Sequence, residues 1–201
     1  MNALVWKDMF LLRTGLIYIA IVAVVFCLLF SDSMVMGLVC PMLFSSLAAS
    51  SFSWDDQCKW DLFAVSAGIP RNRIVMSKYE SATVYVTIGA LIGFVVTLVA
   101  QPEMDLAAMA TLTVTGWVLG IIVVSLSILV NYWTGSSVKA QYVSIIVLIF
   151  SVIFLVSTTM IASDILDGDI LAVTAVLLVV AALVFAGTYR VSCFRFGRRD
   201  L

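Results

Sequence analysis

An all-α, polytopic membrane fold is what this chain predicts, and three observations carry the prediction. Of its 201 residues 63% are hydrophobic, giving a mean hydropathy of +1.17. Only 11% are charged, against roughly a quarter in soluble domains. The apolar residues also fall in long runs rather than in alternation. A helix needs about 20 apolar residues to cross a hydrocarbon core about 30 Å thick, so the length holds six crossings and little else. The backbone must satisfy its own hydrogen bonds in lipid, and the period-two pattern of barrel strands is absent, which leaves helix. One transmembrane domain over residues 1–201 is expected, with no separate soluble domain.

Taken in order, the chain opens with a lead-in from Asn2 to Arg13. It reads as a short interfacial helix with Trp6 and Phe10 at headgroup level and Lys7, Asp8 and Arg13 in water, or equally as the cytoplasmic end of the first span. Six spans follow at residues 11–30, 34–52, 80–100, 106–131, 141–162 and 170–189. The first is long, and no small-residue cleavage site follows it in LLFSDSMVM, so it is expected to stay uncleaved. Pro41 should kink the second. The third and fourth carry G-x-x-x-G at Gly89/Gly93 and Gly116/Gly120, spacing that lets helix backbones approach closely. Packing within the bundle, subunit dimerisation and a substrate face all use such spacing. The sixth places eleven Leu, Ile, Val or Phe residues between Ile170 and Phe185, worth roughly −3 to −7 kcal/mol towards insertion.

Charge placement sets the expected orientation. All 11 basic residues, Lys7, Arg13, Lys59, Arg71, Arg73, Lys78, Lys139, Arg190, Arg195, Arg198 and Arg199, lie at a terminus or in the second or fourth connection. The other connections hold only acids: Asp32, then Glu103 and Asp105, then Asp164, Asp167 and Asp169. The positive-inside rule places both termini, and the polar segment at residues 53–79, in the cytoplasm.

Several function classes lose ground on composition. There is no histidine, hence no imidazole base and no common zinc site. Cys27 and Cys40 fall within spans, while Cys58 and Cys193 face a reducing compartment, so no disulfide framework is expected. The run Asp164 to Asp169 lacks the alternate-residue ligand spacing of a calcium loop. No Asp, Glu, Lys or Arg lies deep in a span, where a gradient-driven carrier usually keeps one. The phosphate-cradling G-x-x-x-x-G-K-[ST] is also missing, so the chain cannot hydrolyse ATP by itself.

The segment at residues 53–79 is the informative one. Ser53 can cap a short helix with Asp55 and Asp56 in its first turn, where carboxylates suit the helix dipole. That helix would run to Ala67. Gly68 would supply its left-handed stop, and Pro70 would open the next helix at its first position. Trp60, Phe63, Ala64 and Ala67 follow the spacing of an apolar stripe, with Asp55, Lys59 and Asp61 towards the water. A basic turn, Arg71-Asn72-Arg73, follows.

These residues resemble the small ABC-2-type permeases, membrane subunits of ATP-binding-cassette exporters, over nearly the whole chain. The likeness rests on Leu4, Lys7 and Asp8 in the lead-in, on Phe52 to Asp56, Lys59-Trp60-Asp61, Ser66 to Arg71 and Ile74-Val75, and on the pair Lys78-Tyr79. Ala67-Gly68-Ile69-Pro70 departs from the Ser-Leu-Pro of many relatives. The resemblance implies that Asp55, Asp56, Lys59, Trp60, Asp61, Phe63, Pro70, Arg71 and Arg73 form a coupling segment. A separate ATPase subunit, holding ATP and Mg²⁺, would dock there. It further implies a second permease copy or a related permease, export as the direction, and a bacterial plasma membrane as the location. No cofactor on this chain and no nucleic-acid partner are expected. Ser45, Ser46, Ser50, Thr111, Thr115, Ser125 and Ser127 suit an amphipathic or lipidic cargo but equally pack helices. A different class remains: an accessory or immunity-type membrane protein that binds a partner and transports nothing.

Overall fold

Hydrophobic runs become helices wherever the computed structural model describes the chain, which is over residues 3–29, 36–134, 142, 146 and 170–198. The helices are α1 (Ala3–Leu11), α2 (Arg13–Leu29), α3 (Met36–Gln57), α4 (Trp60–Ser66), α5 (Arg71–Ala100), α6 (Leu106–Thr134) and α7 (Ile170–Gly197). No strand occurs among the described residues. Four stretches, Gly37–Gln57, Arg71–Ala100, Leu106–Thr134 and Thr174–Gly197, are helices long and apolar enough to cross a membrane. The span expected at residues 141–162 falls outside the described residues apart from Tyr142 and Ile146, and so does the acidic run from Asp164 to Asp169.

Hydropathy cuts three of these helices short. α3 runs on past Phe52 to Gln57, α5 begins at Arg71 rather than Glu80, and α7 continues past Tyr189 to Gly197. Once nucleated, a helix extends by one hydrogen bond per residue until something stops it, and the lipid boundary is not a stop. Between α4 and α5 the stop is local chemistry. Gly68 takes φ +81, a left-handed conformation that costs a residue with a Cβ about 1–2 kcal/mol. Pro70 is the N-cap of α5, one position before the first helical residue expected for it.

Side-chain contacts give the helix directions. Along α3, Gly37, Leu38 and Pro41 meet Thr113, Gly116 and Gly120 of α6 in turn, so these two helices run parallel. α5 runs the other way, with Ser51 of α3 beside Lys78 and Cys40 beside Gly89. α7 follows α6, from the Thr115–Thr174 hydroxyl pair to the Tyr132–Phe196 ring contact. The ends of α3, α6 and α7 thus share one end of the bundle with α1, α4 and the start of α5. Lys7, Arg71, Lys78 and Arg195 gather there, whereas Glu103 and Asp105 occupy the α5–α6 turn at the other end. The main apolar core, including Phe44, Phe52, Ala64, Tyr79, Tyr85, Val124, Ile128 and Phe196, lies towards this basic end.

Backbone proximity rests on the glycines. A β-carbon on Gly116 would lie 2.7 Å from the Leu38 Cα and 2.8 Å from the Gly37 carbonyl oxygen. That carbonyl belongs to the residue four before Pro41, whose ring nitrogen cannot donate to it. On Gly89 a β-carbon would lie 2.7 Å from the Phe44 Cβ, and on Gly120 2.8 Å from Val86 Cγ1. Gly93 is buried, and its carbonyl accepts the Thr97 hydroxyl at 2.8 Å.

Candidate functional site

Four charged side chains from three helices meet inside the basic end. Lys78 of α5 is 3% exposed and Asp8 of α1 only 1%. The Lys78 ammonium donates to both Asp8 carboxylate oxygens at 3.1 Å and to the Ser51 hydroxyl at 3.3 Å, and stands 2.6 Å from Asp55 Oδ2. Asp55 of α3, 6% exposed, takes a second ion pair from Lys7 of α1 at 2.7 Å. Lys7 also lies 3.2 Å from Asp8, and Ser81 donates to Asp8 at 3.2 Å. Two cations face two anions, so the cluster is neutral as a whole. It is buried enough that losing one member would strand its partner in a dry site, at a cost of about 3–5 kcal/mol.

This arrangement corrects the expectations for Asp8 and Asp55. Asp8 was expected in water and is buried. Asp55 was expected on the wet side, in the first turn of a helix capped by Ser53; it lies instead in the last turn of α3, facing inward. The reason is tertiary. Ser51 and Asp55 are four residues apart on one face of α3, and holding Asp55 against Lys78 requires α3 to continue through Ser53. The carboxylate sits at the unfavourable end of the helix dipole, and the two lysines offset that.

The chain reverses after Cys58. Lys59 takes φ 49 and ψ 41, a left-handed conformation, and α4 starts at Trp60. The expected stripe is accordingly rotated. Ala64 is wholly buried and Trp60 half-buried, whereas Phe63 and Leu62 are 60% and 51% exposed and Ala67 is exposed as well. The Lys7 ammonium lies 4.2 Å from the centre of the Trp60 ring, a cation–π contact that ties α4 to the buried cluster. Lys59 is exposed, Asp61 half-buried and Asp56 exposed at the α3 terminus.

Arg71 and Arg73 do not form a turn; they are in the first helical turn of α5. Cations are unfavourable at the positive end of a helix dipole, and Arg71 is compensated from outside. Its guanidinium donates to the Phe196 and Gly197 carbonyls at 3.2 and 2.8 Å, satisfying the end of α7. Tyr79 adds a second tie to α7 through its hydroxyl, 3.1 Å from that of Ser192, and through edge contacts with Phe185 and Tyr189. Arg73 and Pro70 are exposed.

The hydroxyls considered for a cargo path are turned inward on their own helices. Ser45, Ser125 and Ser127 donate to carbonyls three or four residues earlier at 2.6, 2.6 and 2.8 Å, and Ser46, Ser50, Thr111 and Thr115 do likewise at 2.7 to 3.4 Å. Among the described residues Thr115 alone of these also reaches a side chain on another helix, Thr174.

Neither the curated proteins nor the solved structures held a match for this chain. A protein-family comparison did: residues 3–195 match the family described as ABC-2 family transporter protein, and the chain belongs to it. It is a membrane transport component.

Proposed function

We propose that this ABC-2 family chain is the permease subunit of an exporter driven by a separate ATP-binding subunit, and that α4 with its flanks is where that subunit docks. One observation carries the reading. The short α4 helix presents Leu62 and Phe63 outward, while on its other face Trp60 meets Lys7 of the buried charge cluster joining α1, α3 and α5, and Ala64 packs in the apolar core. A force applied to α4 therefore reaches three helices through charged contacts that resist stretching, and a fourth, α7, through Arg71 and Tyr79. ATP and Mg²⁺ belong to the partner, since this chain has no phosphate-cradling motif.

The positive-inside rule puts the basic end, and both termini, on the cytoplasmic side. α6 ends at that side and α7 starts at the other, which is what a further crossing between them requires of a six-span chain. Family membership and the brief α5–α6 turn, which leaves little surface for an external binding protein, support export as the direction, and six spans being half the usual pathway of such machines supports pairing with a second permease.

Copurification with an ATPase encoded beside this chain tests the reading. Phe63→Asp is expected to cut that association at least tenfold while leaving the melting temperature unchanged, because the ring is exposed. Reconstituted permease should raise the partner's ATPase rate, and the variant should not. Retention of the partner by Phe63→Asp and by Leu62→Asp alike would remove α4 from the interface.

A further inference from the structure

The ends of α6 and α7 leave between them a cavity of about 640 Å³ at the basic end of the bundle, walled by Trp133, Thr134, Val191, Phe194, Arg195 and Arg198. No carboxylate lines it among the described residues. Arg195 stacks on Trp133, its guanidinium carbon 3.7 Å from the ring centre, and Arg198 stacks on Phe194 at 4.1 Å. A guanidinium seated over an aromatic ring keeps N–H groups for an oxyanion, and the ring narrows the orientations it can take.

The ordinary duty of basic side chains at a helix C-terminus is to neutralise the last carbonyls. Here Arg71 performs it, reaching from α5 to the Phe196 and Gly197 carbonyls. None of the ion pairs among the described residues involves Arg195 or Arg198. Two cations seated on aromatic rings thus border a cavity whose remaining walls are largely apolar and aromatic, at the basic end of the bundle. We propose that this cavity binds an anionic phospholipid, its phosphodiester on Arg195 and Arg198 and its acyl chains along Val191 and Phe194. Basic pockets between transmembrane helices recognise anionic headgroups by this combination of charge and depth. The proposal requires only that the chain spans a membrane, and it stands or falls separately from ATPase docking at α4.

The test is native mass spectrometry of the full-length protein in detergent, titrated with dioleoylphosphatidylglycerol or dioleoylphosphatidylcholine. The phosphatidylglycerol adduct should form at least tenfold more readily. At roughly fivefold per basic residue near an anionic lipid, Arg195→Gln/Arg198→Gln should weaken it about 25-fold. Trp133→Leu, which keeps both charges but removes the stack, should weaken it several-fold, and Arg190→Gln, outside the cavity, should not. Arg198→Gln alone, at an exposed position, gives a roughly fivefold loss if the double variant melts early. Equal retention of the two lipids, or equal loss in Arg190→Gln, would overturn the site. Displacement of the lipid by millimolar inorganic phosphate would overturn the lipid as its ligand.

Discussion

Replacing Lys78 by Met removes the more deeply buried of the two cations that touch both carboxylates, and the consequence can be worked from the contacts. The Lys78 ammonium has Asp8 at 3.1 Å, Asp55 at 2.6 Å and Ser51 at 3.3 Å. Met keeps the length and the apolar stem, so the loss is of charge rather than volume. Lys7 would then face two carboxylates alone, and it is 26% exposed, so one buried negative charge is left without full compensation. Stranding a buried charge costs about 3–5 kcal/mol, a large part of the roughly 5–15 kcal/mol that stabilises a typical protein. Asp8→Asn alone should cost a similar amount by leaving an excess cation. The double variant Lys78→Met/Asp8→Asn restores neutrality, pairing Lys7 with Asp55, and should recover at least about 1.5 kcal/mol relative to the sum of the single variants. Equilibrium unfolding in mixed micelles, followed by tryptophan fluorescence, measures all three. A Lys78→Met variant within about 0.5 kcal/mol of the parent, the range of an ordinary surface substitution, would refute the claim that the cluster is a dry, mutually dependent unit. Strict additivity in the double variant would refute the pairing.

Other expectations follow from single contacts. Gly116→Ala places a β-carbon 2.7 Å from the Leu38 Cα, where only a backbone shift can relieve it, and should cost about 1–3 kcal/mol; Gly187→Ala, with nothing within 4 Å, should be neutral or stabilising in the same unfolding assay. The Tyr85 hydroxyl is buried without a hydrogen-bond partner among the described residues. Tyr85→Phe is therefore expected to raise stability by roughly 1 kcal/mol, and a loss of that size would mean the hydroxyl has a partner after all.

Much of this molecule was legible because lipid leaves the backbone few options. Apolar runs with internally satisfied hydrogen bonds had to be helices, and Lys7, Arg71, Lys78 and Arg195, which the charge pattern put on one side, gather at one end of the described bundle. The turn at Gly68 and Pro70 was readable for a local reason, since a left-handed glycine followed by a residue with fixed φ stops a helix wherever it occurs. The segment just before it was misread because its determinant is not local. Ser53, Asp55 and Asp56 look like a helix start, and only Lys78, 23 positions later in the chain but 2.6 Å away in space, makes Asp55 part of the last turn of the preceding helix. The stripe on α4 was misassigned for the same reason, because the extra length of α3 sets where α4 begins and which side it buries.

Composition and order alone thus determined the helices, their apolar character and the segregation of charge, because each follows from the solvent and from neighbours along the chain. Only the tertiary structure decided which charged residues leave the water. Burying Asp8, Asp55 and Lys78 is favourable solely when opposite charges from different helices arrive at one point, and that coincidence is a property of the packed bundle, not of any segment within it.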